Sequence, residues 1–214
     1  MLALLAAISA TVGKIGNEVY QLQRPEIGEL RESFTEGTVG SITMPHKRNP
    51  EISEHLVTLS RAIRAQAGLA LDGMLVEHER DGRAWKTEWL VVPETGMLFA
   101  SCLASGTRML ANLHVDADRM LRNINQQRGY LLSEPVMRAL AGRLGKHAAH
   151  EAVYAAAMNG IDRGADFRTA LRADTRLDAI PDAELDELLQ VRASLGACAA
   201  FTDRVRRSCA GACT

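Results

Sequence analysis

Seven apolar residues at the start of the chain, Leu2, Leu5, Ile8, Val12, Ile15, Val19 and Leu22, recur every three or four positions. That period is one face of an α-helix and is incompatible with strand alternation. At 1.5 Å per residue the pattern spans about 35 Å. Such a stripe has to be laid against other helices, as in a bundle or coiled-coil seam. Aromatic residues are only 4% of the 214, while alanine and leucine are abundant, so propensity also favours packed helices over sheets. The pattern begins at the first residue with no capping residue ahead of it. It reads as an element cut in the middle, with further residues expected before Met1.

Pro25 to Pro50 forms a long connection, and loops of that length are usually functional or disordered. A second helix is predicted after Pro50, with Ile52, Leu56, Leu59 and Ile63 on one face and Gly73 near its end. A third runs from about Arg83 to Leu113 and tolerates Pro93 as a kink. Asp116 is a candidate N-cap for a further helix, with Val115 and Met120 placed for a hydrophobic staple. The predicted helices then shorten, to 117–125, 134–144, 146–160, 166–173, 182–191 and 195–207. Ser133 reads as an N-cap, Gly145 and Gly160 as stops. No strand alternation or internal repeat stands out. The expected fold is all-α: a long-helix bundle over 1–113, followed by a small helical domain over 114–214.

The net charge of −1 provides no general attraction to nucleic acid or to an anionic membrane. No apolar run reads as long enough to span a bilayer. Met1 to Ala10 is apolar but lacks the basic flank of a signal peptide. Cys102, Cys198, Cys209 and Cys213 have no metal-ligand spacing and read as reduced thiols of a cytoplasmic protein. His147 and His150 lack further ligands nearby, so no metal site is expected there.

The segment from Gly40 to Pro50 (Gly-Ser-Ile-Thr-Met-Pro-His-Lys-Arg-Asn-Pro) concentrates the chemistry. Glycines at 37 and 40 are candidate hinges. Ser41 offers a hydroxyl, Lys47 a compact ammonium and Asn49 an amide donor. A proton beside a carboxylate is very weakly acidic, because its removal adds a second negative charge. The resulting dianion has to be held by preorganised donors. A serine becomes a base only where a cation and N–H groups stabilise its alkoxide.

Gly40 to Asn49 resembles the signature G-S-S-x-M-P-x-K-x-N of the fumarase/aspartase superfamily, with Ile42 where a second serine is usual. The resemblance continues through Leu22 to Glu29, Ser53 to His55, and Val115 to Met120. It covers most of the chain, but only the later half of a full family member. It implies a cofactor-free all-α homotetramer acting on a polycarboxylate, with each active site shared between subunits. By the same resemblance, Ser41 is the base, Lys47 and Asn49 hold the substrate carboxylate, and Thr43 and Met44 line the site. Glu54 would orient a histidine acid that belongs to the absent half. Little or no activity is therefore expected of this chain in isolation.

A second stretch, Glu77 to Trp89, contains His78-Glu79-Arg80 followed by Trp85 and Trp89. It resembles the bacterial 3-carboxy-cis,cis-muconate cycloisomerases. Adenylosuccinate lyases share the arginine, which assigns Arg80 to substrate-carboxylate binding. They use a serine and an arginine to hold phosphate at the positions of Trp85 and Trp89, and two indoles cannot replace those donors. The resemblance thus favours lactonisation of a muconate, with adenylosuccinate cleavage as the alternative and a non-catalytic helical oligomer as the second. On residue types alone, Arg80 would pair with Glu77 or Asp81, and the two tryptophans would pack in a core or interface.

Overall fold

The computed structural model describes residues 1–33 and 48–212. Ser41, Thr43, Met44 and Lys47 therefore lie outside the described residues. Among the described residues the chain is all-α, with nine α-helices and a single pair of two-residue strands. It divides into two compact units, Met1–Met120 and Leu121–Thr214.

The first unit is built on three long helices: α1 (Leu2–Leu22), α2 (Glu51–Asp72) and α3 (Gly82–Ala111). They run up, down and up. Gly13 of α1 faces Ser60 of α2, and Gly16 faces Leu56 and Ser53. Gln66 of α2 donates to Glu94 of α3 at 2.7 Å, while Ser53, at the other end of α2, reaches Met109. Leu56, Leu59 and Ile63 are buried along α2, as the spacing predicts, while Ile52 is only half-buried and Ala67 extends the buried line. Full burial of a side chain such as Leu56 or Ile63 contributes about 1.5–3 kcal/mol.

The contact line of α1 differs from the predicted stripe. The buried residues are Ala6, Ser9, Gly13, Gly16 and Val19, with Val12, Ile15 and Leu22 packed beside them. Leu4 and Ile8 remain exposed. Small residues allow the two backbones to approach closely: a Cβ on Gly13 would meet the Ser60 side chain at 2.6 Å. The large residues flank this line instead of forming it. By length and mean hydropathy (1.3 and 1.2), α1 and α3 are also apolar enough to cross a bilayer, contrary to the sequence expectation. Counting unbroken apolar runs misses this, because Lys14 and Glu18 interrupt α1 without lowering its average far. A helix that touches other helices on several sides has the same composition.

After α1, Gly28 turns the chain at φ +65°, and β1 (Leu30–Arg31) pairs antiparallel with β2 (His114–Val115). Arg119 donates to the carbonyls of Ile27 and Glu26 at 2.8 and 2.9 Å. These bonds tie residues 114–120 to the first unit, so the compact unit extends past the change in helix length at His114. Asp116 does cap α4 (Ala117–Gln126), accepting from the Arg119 N–H at 2.8 Å.

In the second unit, α5 (Ser133–Leu144), α6 (Lys146–Asp162), α7 (Phe167–Arg172) and α8 (Asp182–Leu188) surround a core that includes Leu140, Val153, Phe167, Leu171 and Leu185. The exposed α9 (Cys198–Ala212) ends the described chain. Gly145 stops α5 at φ +84°, as expected. Ser133 is not a cap: a 3-10 turn over Tyr130–Leu132 leads directly into α5. Gly160 is not a stop either. It lies buried inside α6 against Ala170 and the Tyr130 hydroxyl, and Gly164 takes the positive φ beyond the helix.

Candidate active site

Of the predicted site residues, Asn49, Glu54 and Arg80 are described. Asn49 is half-buried in the approach to α2, and Glu54 is exposed in the first turn. Glu51 and Glu54 place two carboxylates there, where they favour the positive end of the helix. The Glu54 N–H bonds the Pro50 carbonyl at 3.0 Å, so the helix is fully formed at this residue.

The N-cap itself is Pro50, which brings no side-chain acceptor. Glu32 supplies one from far upstream. Its carboxylate accepts from the Ile52 N–H at 3.0 Å and the Ser53 N–H at 2.7 Å. Sequence reasoning missed Glu32. The available signal was a helix start behind a proline with no Ser, Thr, Asp or Asn to cap it.

Arg80 sits in the turn between α2 and α3, exposed, with φ +60°; His78 two residues earlier has φ +63°. Left-handed backbone at non-glycine residues costs free energy and is concentrated at functional sites. Asp81 caps α3, accepting from the Arg83 N–H at 3.0 Å. The Arg83 guanidinium donates to Asp81 at 2.9 and 2.7 Å and to Glu77 at 3.1 Å. Glu77 and Asp81 are thus held by Arg83 and not by Arg80. The Arg83 hydrogen bonds hold the Asp81 carboxyl well below the usual carboxylate range and raise the Arg83 pKa in turn. Trp85 and Trp89 are not core residues, being 48% and 70% exposed on α3.

Asn49 and Glu54 both lie at the start of α2, and Arg80 lies beyond its other end. Glu54 is in the first turn of α2, and Arg80 follows its last. From Glu54 to the last residue of α2, Asp72, the helix runs eighteen residues, about 27 Å at 1.5 Å per residue. Within one chain these groups cannot touch the same small molecule. Among the described residues no cluster of three His, Cys, Asp or Glu is arranged for a metal ion.

Residues 1–65 match the family described as "Lyase", and residues 129–205 match "Adenylosuccinate lyase C-terminus". The chain belongs to the fumarase/aspartase superfamily. It is 40% identical over 204 residues to an N-acetyl-S-(2-succino)cysteine lyase of Enterococcus italicus, covering 95% of this chain and 45% of that protein. It is 35% identical over 203 residues to a 3-carboxy-cis,cis-muconate cycloisomerase of Pseudomonas aeruginosa, covering 94% and 44%. The crystal structure of a 3-carboxy-cis,cis-muconate lactonizing enzyme from Pseudomonas putida superposes with TM-score 0.82 at 30% identity, over 95% of this chain and 46% of that one. The chain spans about half the length of the curated relatives it matches.

Proposed function

We propose that the protein catalyses β-elimination from a succinyl-type polycarboxylate, with a 2-succino thioether as the first substrate to test. The observation that carries this reading is the family signature through Asn49, joined to a relative 40% identical that is named for a 2-succinocysteine thioether. Ser41, stabilised as an alkoxide by Lys47, takes the proton from the carbon beside a carboxylate. The electron pair forms the new double bond and the C–S bond breaks. The thiolate leaves and is protonated, giving fumarate and the free thiol. Asn49 and Lys47 hold the carboxylate on which charge accumulates. Glu54 orients the acid that protonates the leaving group, and Arg80 of another copy binds the second carboxylate. No cofactor is needed for these steps.

The active form is a homotetramer with sites shared between subunits, in the cytoplasm. The separation of about 27 Å along α2 supports the sharing of sites, and an exposed apolar stripe on α3 supports the association. Trp85, Trp89, Val92, Leu103 and Leu110 lie on one helical face, all at least 39% exposed. An apolar patch of that extent marks an association surface.

Lactonisation of 3-carboxy-cis,cis-muconate is the second reading. There the leaving group is the substrate's own carboxylate, and Trp85 and Trp89 favour an apolar, phosphate-free pocket. Arg83 does not restore the phosphate site of an adenylosuccinate lyase, because its guanidinium is committed to Asp81 and Glu77.

Turnover of the thioether, the muconate and adenylosuccinate by the protein assembled together with the half that its relatives carry and this chain does not span tests the proposal. Fumarate release from the thioether is expected to dominate, and Ser41→Ala to lower kcat by about 10²–10⁴. Unchanged kcat in that variant overturns the assignment of the base. Inactivity on all three substrates in the intact assembly favours the non-catalytic oligomer.

A further inference from the structure

Glu32 connects the end of α1 to the start of α2, at the point where the candidate site begins. An N-cap side chain ordinarily satisfies the N–H of the second or third helical residue. In α2 these are Ile52 and Ser53, and Glu32 takes both, one with each oxygen. A carboxylate in that position also meets the positive end of the helix and makes charge-assisted bonds. The Glu32 N–H in turn donates at 2.9 Å to the side-chain oxygen of Gln23, which is the C-cap of α1. The buried Ser53 hydroxyl reaches the Met109 sulfur of α3 at 3.6 Å. Gly16 brings the α1 backbone so close that a Cβ there would lie 3.1 Å from the Ser53 carbonyl. The first turn of α2 is thereby held from α1, from the β1 exit and from α3. Asn49 leads into this turn and Glu54 lies within it.

We propose that Glu32 is a positioning residue of the candidate site: its carboxylate clasps the first turn of α2 and so sets the placement of Asn49 and Glu54. The consequence for turnover rests on the elimination reading; the clasp itself does not. In E32A both amides lose their acceptor. E32Q keeps one carbonyl oxygen, so it is a graded rescue and a fallback if E32A does not fold.

Three readouts on the assembled protein test the clasp. Amide exchange at Ile52 and Ser53 is expected to rise by about tenfold or more in E32A while Leu59 and Ile63 stay protected. The NMR signal of the Asn49 side-chain amide is expected to shift in E32Q. With N-acetyl-S-(2-succino)cysteine, kcat is expected to fall by about 10- to 100-fold in E32A, with E32Q between it and the parent and KM little changed.

Parent-like exchange at Ile52 and Ser53 in E32A refutes the clasp. Faster exchange with parent-like kcat reduces Glu32 to a helix cap and refutes the positioning role. Should the parent turn over none of the substrates, the elimination reading fails alone. The proposal is then decided by the exchange rates and the Asn49 signal, and an unmoved Asn49 signal overturns it.

Discussion

At the scale of single residues, the turn before α3 shows how one arginine frees another. Arg83 occupies both acids, Asp81 and Glu77, and Arg80 stands exposed between them in sequence. Asp81 titrates below its ordinary value of 3.8 because Arg83 donates to its charged form. A depressed carboxylate stabilises the fold above the unfolded pKa and loses that contribution as pH falls through the folded one. The contribution is therefore complete above about pH 5 and fades in stronger acid. Asp81→Asn is expected to flatten the acid side of a Tm-against-pH profile while lowering Tm at neutral pH. An acid limb as steep as the parent's would contradict the Arg83–Asp81 account. The same turn marks a limit of sequence reading. Glu77, Asp81 and Arg83 are all legible as charges, but their pairing depends on a left-handed backbone at His78 and Arg80, which side-chain spacing does not encode.

At the scale of elements, period and punctuation locate helices well and locate contacts less well. The starts after Pro50 and Asp116 and the stop at Gly145 follow from local chemistry. The α1 contact line does not, because a hydrophobic stripe identifies the helix but small residues decide where backbones meet. Gly160 is the same case: glycine reads as a terminator, yet here it is a packing position. Gly160→Ala puts a methyl against Ala170 and the Tyr130 hydroxyl and is expected to cost about 1–3 kcal/mol through overpacking. Gly142, exposed in α5 with open space around it, provides the control. Gly142→Ala is expected to add about 0.4–1 kcal/mol. Denaturant midpoints at constant m-value check both, and equal effects at the two sites would refute the distinction. Glu32 is the functional counterpart. Its two hydrogen bonds cross 20 and 21 residues of sequence, beyond the reach of any local pattern.

At the scale of the whole molecule, the all-α architecture and the family were legible because the signature and the helical period agree. The separation of Glu54 from Arg80 was also legible, since it follows from the length of the helix predicted between Pro50 and Gly73; the side-chain contacts between the helices were not, because they depend on how α1, α2 and α3 pack. The separation of Glu54 from Arg80 gives a direct prediction. Glu54→Gln and Arg80→Ala, each alone, are expected to lower activity by about 10²-fold or more. Mixing the two inactive proteins after dissociation and reassociation is expected to return a substantial part of it, because some sites then draw an intact residue from each copy. No recovery in verified mixed assemblies would mean that one chain supplies both groups. The exposed α3 stripe is expected to be buried in the same assembly. Trp89→Glu, 70% exposed in the single chain, is expected to shift sedimentation toward smaller species with little change in helix content.

The length of α2 also bears on inhibitor design. A compound made to fit one isolated copy can engage the Glu54 end or the Arg80 end, never both. In the proposed assembly, one that grips both groups lies across a seam between copies, and is expected to act as a glue that holds the neighbours together as it blocks them.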